Sequence, residues 1–489
     1  MGSLRHWPVV ALIVLFTAPI VRGQPAKPNA PDADKWLFDR TLTITPREES
    51  KPALAYRLFP VATDRREGNA VPIYLRLNFE QSDAARRKWT ETPKPWNAMP
   101  IDKFPVNEAK TFLDEHKNFL RQFELGARRK TAEWNYTLDQ GSIIDVLLPD
   151  VQTMRGYVPM MVLRVRVALA DGDFAAAAHW LETGFAFSQH VGDGPFLINR
   201  LVGIACGAQF ADCVLDFVER PGAPNLYWPL AALPRPLIDL RDSMEMEQAV
   251  MEMQFPELAE VAHLDRPRSP EQWDVVLKKV RTEFARLVQA DREGGAKWKP
   301  IPGTTADDPA SKSPDLPAAR KYLVERRKLA ADVVDAMPPA QVLLIYIFHS
   351  YHEFRDDTFK ASYLPYVQAR KVFEEAEARR KASPDTEARR FPDALLPAIV
   401  KVQSAQTRLD RKMAALRVIE ALRLHAAAND GRLPDKLTDI TLVPVPDDPG
   451  TGKPFGYERD QDTATLISRM PDEKLEVSGH RYRLTIRRK

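Results

Sequence analysis

Cysteine is nearly absent from this chain of 489 residues, which contains only Cys206 and Cys213. The two lie seven positions apart on one predicted helix, so the helix rise separates them by about 10.5 Å. A disulfide needs Cα atoms within about 7 Å of each other. We therefore expect two buried free thiols, no disulfide, and a fold stabilised by packing alone. No cysteine pair has the spacing of a zinc site either.

An excess of charge of one sign is also missing. The chain has 70 basic and 67 acidic residues and a formal net charge of +3. A dedicated nucleic-acid binder concentrates basic residues on one face, and this balance argues against that class of protein. Proline, in contrast, is plentiful at 41 residues, above the average usage of roughly 5%. Most of the prolines lie between predicted helices.

The familiar catalytic motifs are lacking. The chain has no G-x-S-x-G nucleophile elbow and no H-E-x-x-H zinc helix. The stretch Gly450-Thr451-Gly452-Lys453 is similar to the end of a phosphate-binding loop. That loop also needs an earlier glycine, where Asp447 stands, and a serine or threonine where Pro454 stands. We therefore predict a protein that is not an enzyme, with no cofactor. A hydrolase whose residues converge from distant segments is the alternative.

A hydrophobic segment begins the chain. Arg5 and His6 precede an apolar run, Pro8–Val21, and Val21-Arg22-Gly23 supplies small residues for cleavage before Gln24. This pattern predicts a secretory signal peptide over 1–23. An uncleaved membrane anchor is the alternative, although the run is shorter than the ~20 residues that span a bilayer. Removing the segment lowers the formal charge from +3 to +1. The expected location is periplasmic or secreted, with no transmembrane helix after cleavage.

Helix-period apolar residues dominate the centre of the chain. Met154, Val158, Met161, Val165 and Leu169 mark one face of a helix over Val151–Ala170, with Asp150 as its N-cap. Gly172 is expected to be left-handed, and Asp173 to cap a second helix, Phe174 to about His190. A third helix, Phe196–Glu219, is apolar on nearly every side and should be the most buried. A fourth, Leu230–Met253, should bend near Pro234 and Pro236.

The second of these helices carries a resemblance. Gly172-Asp173-Phe174, Ala177, Leu181 and Gly184 resemble the turn and second helix of a tetratricopeptide (TPR) hairpin. This resemblance implies antiparallel helical pairs with an exposed groove, and plain helical packing is the alternative. The strings "GPFLINRLVGIA" and "PGAPNLYWPLAALPRPLIDLR" resemble a family of uncharacterised bacterial secreted proteins over residues 50–255. That family implies no activity.

Before this block, residues 24–105 read as an irregular segment. A loose lead-in is followed by a short strand, Thr41–Thr45, and by helices at Pro52–Pro60 and Val71–Glu80. The second of these could equally be a strand. Lys88–Pro105 is a proline-rich connector, and a helix runs from an N-cap at Asn107 to about Lys130.

Charged helices follow the central block. They are predicted at Pro270–Arg292, Pro317–Met337, Pro339–His352 and Asp356–Lys381, with a flexible linker at 293–316.

The last segment has its own pattern. An apolar stripe from Leu409 to Leu422 marks a helix that ends at Asn429-Asp430-Gly431. The loops "GRLPDKLTDI" and "PVPDDPGTGKPFGYERD" and the strands Thr463–Ser468 and Tyr482–Ile486 follow it. Over residues 410–470 this order resembles the globular part of type II secretion pseudopilins, which implies a helix with a small antiparallel sheet.

Together these patterns predict a mainly α protein with TPR-like antiparallel hairpins and a small α+β C-terminal module. The predicted divisions are 1–23 (signal peptide), 24–105 (irregular), 106–260 (helical), 261–405 (charged helices) and 406–489 (pseudopilin-like).

Two sets of side chains are weak metal candidates. Asp447, Asp448 and Asp460 offer the hard oxygens that calcium prefers, although turn-forming aspartates beside proline are the simpler interpretation. His349, His352 and Asp356 share one helix face and suit a transition metal, although an exposed polar helix end explains them as well. His179 and Trp180 are expected in packing or at the surface, and the methionines of 244–253 as helix filling.

The leading hypothesis is an exported, non-catalytic scaffold that binds a protein or peptide in a helical groove. A component of a secretion or pilus-like envelope machine is the second hypothesis, and a hydrolase is the third. The sequence leaves the partner and the oligomeric state open.

Overall fold

The structure is a computed structural model that describes residues 36–79, 82–136, 149–261, 268–293, 301–396, 399–470 and 478–487. The predicted signal peptide at 1–23, most of the lead-in and residues 294–300 of the predicted linker lie outside these ranges. The described chain is mainly helical with a small sheet that includes the C-terminal strands, which confirms the predicted fold class.

The secondary structure alternates short and long helices. In chain order the helices are α1 (Val71–Phe79), α2 (Asp83–Glu91), α3 (Pro93–Ala98), α4 (Val106–Glu115), α5 (Lys117–Ala127), α6 (Pro149–Ala170), α7 (Phe174–Gly192), α8 (Leu197–Glu219), α9 (Tyr227–Ala231), α10 (Arg241–Gln254), α11 (Pro256–Val261), α12 (Pro270–Glu293), α13 (Leu316–Glu325), α14 (Ala331–Ala336), α15 (Pro339–Phe359), α16 (Tyr366–Ala382), α17 (Glu387–Leu395) and α18 (Ile399–Ala428). The strands are β1 (Phe38–Ile44), β2 (Arg66–Asn69), β3 (Arg129–Thr131), β4 (Gly456–Asp460), β5 (Thr463–Ser468) and β6 (His480–Ile486).

The chain divides into two compact units. The larger unit draws its described residues from three stretches, 36–135, 149–243 and 404–487, and the smaller unit comprises residue 136 and residues 244–403. The predicted segments at 24–105, 106–260 and 406–489 all contribute residues to the larger unit.

A four-stranded sheet explains why these distant stretches belong together. Its strand order is β1-β6-β5-β4, with β1 parallel to β6 and the remaining pairs antiparallel. Phe38 lies opposite His480, and Ile44 lies opposite Ile486. The strands predicted at 41–45, 463–468 and 482–486 are confirmed. Strand β4 and the pairing of β1 with β6 were not predicted, because nothing local in the sequence signals a partner so far along the chain.

Helices α6, α7 and α8 form the core of the larger unit, and each contacts the other two. Gly172 has a φ of +73°, and the Asp173 carboxylate accepts a hydrogen bond from the Ala176 amide, so both turn predictions are confirmed. Helix α6 begins at Pro149, which places Asp150 inside its first turn rather than before it. A Cβ at Gly184 would come within 2.3 Å of the Phe210 ring of α8. Because Gly184 has no side chain, α7 can pack closely on α8.

Helix α8 is buried on nearly every side, as predicted. Among the described helices it alone is long and apolar enough to cross a membrane, and 78% of its most apolar window is buried inside the protein. Core helices of soluble proteins share this property.

Two buried arginines attach α18 to its surroundings in the larger unit. Arg411 Nε lies 3.0 Å from Asp448 Oδ1, and the guanidinium also donates to Ser468 Oγ and to the Ser478 carbonyl. Arg423 pairs with Glu420 at 2.9 Å and donates to the carbonyls at 45, 223 and 224. Both arginines are almost wholly excluded from solvent, so these contacts fix the position of the helix.

Of two helices predicted before the central block, one is divided and shortened and the other is absent. Residues 107–130 form α4 and α5 with a break at His116, and Arg129–Thr131 instead pairs as β3 with β2. Residues 52–60 form turns and bends rather than a helix. Proline disfavours a helical conformation in the residue before it, and Pro52 and Pro60 bracket this segment.

Prolines also explain why two further segments differ from the predicted secondary structure. The predicted connector at 88–105 contains helices, because Pro93 occupies the first turn of α3, where the missing amide hydrogen costs nothing. The continuous helix predicted at 230–253 is interrupted instead, since residues 232–240 around Pro234 and Pro236 lie outside α9 and α10.

The smaller unit is built around α15, which contacts α12, α13, α16 and α17. A buried ion pair joins Arg281 of α12 to Glu387 of α17, with two nitrogen–oxygen distances of 2.9 Å. The part of the predicted linker that the structure describes is packed against the unit, since Ala310, Ser313 and Asp315 are buried. Asp315 also accepts a hydrogen bond from the Glu387 amide at 2.5 Å.

Two helix boundaries in the smaller unit differ from the predictions. The helix predicted at 317–337 is split into α13 and α14, and Lys328 between them has a φ of +60°. Helix α15 continues through Asp356 to Phe359 instead of ending at His352.

Candidate functional site

The candidate binding site is a cavity of about 420 Å³ in the larger unit. Cavities of 300–1,000 Å³ lined mainly by apolar groups, with a few polar ones, are typical of ligand sites. The lining residues are Leu54, Tyr56, Arg57, Leu58, Phe59, Pro60, Val61, Ala62, Arg65, Gln189, Pro229, Ala232 and Pro234. The residues from 54 to 65 form one wall, and Gln189 of α7 and residues 229–234 complete the cavity.

The main chain of this wall has free hydrogen-bonding groups. The amides of Tyr56, Arg57, Leu58 and Phe59 donate no hydrogen bond to any other residue within the described ranges. The nearest main-chain bonds are those from Ala55 to the Pro52 carbonyl and from Asp64 and Arg65 to the Val61 carbonyl. Unpaired main-chain groups beside an apolar cavity can pair with an extended peptide, as a sheet edge does.

Two arginines supply the charge of the cavity. Arg57 forms a loose ion pair with Asp64, with 3.7 Å between Nη1 and Oδ2, and both side chains are about half exposed. The Arg65 guanidinium meets no carboxylate among the described residues, and its buried Nε has no acceptor. A partly buried cation without a counter-ion is unfavourable, so Arg65 is available to an anionic ligand.

A hydrogen-bonded histidine lies near Arg65. His190 of α7 is buried, its Nδ1 lies 3.0 Å from the Tyr74 hydroxyl, and its carbonyl accepts a bond from the Trp134 indole. Burial lowers the pKa of His190 to about 4, a backbone hydrogen bond with Arg129 opposes this, and the charge of Arg65 lowers it further. The imidazole is therefore neutral near pH 7 and supports the site by position rather than by charge.

A second polar cluster on α7 contains one of the predicted candidates. His179 Nε2 lies 2.8 Å from Glu124, and Arg128 pairs with Glu182 at 2.9 Å. Burial raises the pKa of the Glu182 carboxyl, while the charges of Arg128 and His179 oppose this. Trp180 is buried. These contacts agree with the packing role expected for His179 and Trp180.

The calcium candidates are dispersed. Asp448 is buried in its ion pair with Arg411, whereas Asp447 and Asp460 are exposed. The Asp448 carboxylate accepts hydrogen bonds from the Arg411 guanidinium, the Ser468 hydroxyl and the Gly450 amide.

The second metal set is also engaged elsewhere. His352 Nε2 lies 3.0 Å from Glu252, and Asp356 pairs with the neighbouring Arg355 at 2.9 Å. Burial lowers the pKa of His349 to about 4, helped by the charge of Arg327. Within the ranges that the structure describes, no three His, Cys, Asp or Glu side chains come together to hold a metal.

The remaining candidate side chains lie in the cores. Met244 and Met251 are buried, as helix-filling residues should be. Both cysteines are buried free thiols, as expected. Burial raises the pKa of Cys206 to about 12, opposed by the charge of Arg155, so this thiol is unreactive near neutral pH.

Sequence reasoning missed the cavity because residues 52–60 were predicted to form a helix. The available signal was the pair of prolines around a short apolar stretch, "LAYRLFP", with Arg57 inside it and Arg65 just beyond. Such a stretch predicts an extended or turn-rich segment rather than a helix.

A scan against protein-family models, a search of curated proteins and a search of solved structures each find nothing that matches this chain.

Proposed function

We propose that this chain is an exported, non-catalytic binding protein that receives a peptide segment of a partner protein in the cavity beside α7. The observation that supports this proposal is the cavity wall at 54–65. It combines apolar side chains with main-chain amides that donate no hydrogen bond within the described residues. Partners that add an extended segment obtain affinity from main-chain hydrogen bonds and specificity from side-chain pockets.

The position of the cavity gives the proposed TPR-like hairpin of α6 and α7 a defined role. Gln189 on α7 lines the cavity, and neighbouring His190 joins that helix to Tyr74. The helices would act as a rigid support, while the irregular wall supplies the contacts. Binding residues are commonly presented on loops held by a rigid scaffold.

The chemistry of the cavity favours binding over hydrolysis. Its charged lining groups are arginines, and none of the described lining residues is a carboxylate, a histidine, a serine or a cysteine. Acid–base or nucleophilic catalysis needs such groups within hydrogen-bonding reach of each other.

The test uses a pair of leucines with the same exposure. Leu54 lines the cavity and is 54% exposed, whereas Leu442 is 57% exposed and does not line it. A phage-displayed library of random peptides would be selected on the full chain, and enriched peptides would be measured by fluorescence anisotropy. Leu54→Asp should weaken binding at least about tenfold, which corresponds to 1.4 kcal/mol. Leu442→Asp should leave binding unchanged. Equal effects of the two variants would contradict the proposal.

A component of a secretion or pilus-like envelope machine is the second candidate function. It is favoured by the succession of α18, an irregular loop and the antiparallel strands β4, β5 and β6, which follows the pseudopilin-like order. Leu442 lies in the loop of this module. Cross-linking in intact cells should then lose a partner in Leu442→Asp and keep it in Leu54→Asp. The two variants thus separate the two functions.

A further inference from the structure

Arg65, Arg164 and Arg417 are half-buried arginines of the larger unit that meet no carboxylate among the described residues, and of these three only Arg65 lines the cavity. Arg40, Arg128, Arg166, Arg411 and Arg423 each meet at least one carboxylate. Arg65 lines the cavity without one, and its buried Nε has no acceptor among the described residues. A guanidinium binds a carboxylate through parallel N–H donors. The missing carboxylate is therefore best supplied by the ligand.

The surroundings of Arg65 restrict the ligand further. The amides of Tyr56 to Phe59 have no acceptor among the described residues, and a peptide main chain supplies carbonyl acceptors along its length whereas a simple fatty acid does not. Leu54 and Ala62, which are exposed, and the half-buried Phe59 present apolar surface to side chains beside the charged one. Arg57 adds a second positive charge, held only loosely by Asp64, and so disfavours basic residues in the ligand.

We propose that the cavity recognises an extended peptide segment in which an aspartate or glutamate side chain, flanked by apolar residues, pairs with Arg65. This inference rests on the proposed peptide-binding function and assigns its specificity to one residue. A terminal carboxylate and a free carboxylic acid are the other possible occupants, and the experiment distinguishes them.

The probe is a set of eight-residue peptides, acetylated and amidated, with apolar residues flanking one central position. That position carries Asp, Glu, Asn, Gln or Lys, and two further arms are the Asn peptide with a free C-terminus and dodecanoate. Dissociation constants are measured on the full chain, by anisotropy for the peptides and by calorimetry for dodecanoate. The variants are Arg65→Ala and its matched control Arg66→Ala, an exposed neighbouring arginine that does not line the cavity.

The wild-type chain should bind the Asp or Glu peptide at least about tenfold more tightly than its amide counterpart, the effect of one charge-assisted hydrogen bond. Arg65→Ala should remove this preference while the chain keeps its circular dichroism spectrum. Arg66→Ala should preserve it.

Other outcomes overturn the inference in distinguishable ways. If Asp and Asn peptides bind equally and Leu54→Asp weakens both, the peptide-binding function stands and the acidic specificity falls. If binding requires the free C-terminus, the occupant is a terminal carboxylate rather than a side-chain carboxylate. If dodecanoate binds tightly and the amidated peptides do not bind, the occupant is a free carboxylic acid. If no peptide in the set or from the selected library binds below 1 mM, both the inference and the proposed function fail.

Discussion

Arg411 connects three segments of the chain through one buried hydrogen-bond network. Its guanidinium contacts Asp448 in the loop before β4, Ser468 at the end of β5 and the carbonyl of Ser478 just before β6. Water is excluded from both charges, since each side chain of the pair is 2% exposed. The low dielectric strengthens their attraction, but it also makes an unpaired partner very unfavourable.

Replacing Arg411 by methionine should therefore lower the free energy of unfolding by about 3–5 kcal/mol, because Asp448 would remain buried and uncompensated. Urea unfolding followed by tryptophan fluorescence measures this loss. The exposed pair of Lys110 with Asp171 is the control, and Lys110→Met should change the free energy of unfolding by less than about 1 kcal/mol. Similar losses in the two variants would show that burial does not set the strength of the Arg411 pair.

Asp410, next to Arg411 on α18, is a half-buried carboxyl without a partner among the described residues. Burial raises its pKa from the ordinary 3.8 to about 7. The folded protein thus holds a proton that the unfolded chain releases, so the free energy of unfolding falls as the pH rises from about 4 to 7.

Asp410→Asn should remove this loss and stabilise the protein at pH 8 by an amount on the order of 2 kcal/mol. Near pH 4 the variant and the wild type should be equally stable. Urea unfolding at the two pH values tests the expectation, and Asp447→Asn, at an exposed position, should be neutral at both. A benefit of Asp410→Asn that is independent of pH would contradict it.

At the scale of elements, β1 forms an edge of the main sheet and is packed on one face. Leu42 and Ile44 are buried, whereas Thr41 is exposed and points to the opposite face of the strand. Leu42 lies opposite Leu484 of β6, which is also buried. The strand is therefore anchored both by its hydrogen bonds and by its apolar side chains.

Leu42→Ala should cost about 2–4 kcal/mol in the free energy of unfolding, since it removes buried methyl groups and leaves a cavity. Thr41→Ala, one residue earlier on the opposite face, should cost well under 1 kcal/mol. Hydrogen exchange of the β6 amides should be faster in Leu42→Ala than in Thr41→Ala. Equal exchange would show that the strand pairing does not depend on the buried face.

The elements that sequence patterns predicted are those governed by local physics. Gly172 and Asp173 define a turn through their own conformational and capping preferences, and the apolar surface of α8 requires burial wherever that helix lies. The elements missed depend on contacts far along the chain. Residues 129–131 become a strand because 66–69 lie beside them, in spite of a helical pattern. The cavity wall at 54–65 was missed for a related reason, since its conformation is completed by α7 and by residues 229–234.

At the scale of the whole molecule, the C-terminal stretch cannot be a detachable module. It supplies three of the four strands of the main sheet, and its helix α18 carries Arg423, which donates to the carbonyls of 45 and 223. A sheet edge that loses its neighbour exposes unpaired main-chain groups and promotes aggregation.

A chain ending at residue 404 should therefore lose the fold of the larger unit and aggregate. Size-exclusion chromatography and near-ultraviolet circular dichroism of the purified chain measure this. Leu442→Asp, an exposed change within the same stretch, is the control and should remain folded. A monomeric, cooperatively unfolding product of the truncation would contradict the arrangement of the sheet.

The parallel pairing of β1 with β6 also has a consequence for biosynthesis. Translation proceeds from the N-terminus, so β1 is made early and must wait for residues 480–486 before it has its neighbour. Contacts this distant in sequence also slow folding, because a long loop must close before they form. The larger unit can therefore be completed only after residues 480–486 have left the ribosome, more than 400 residues after β1.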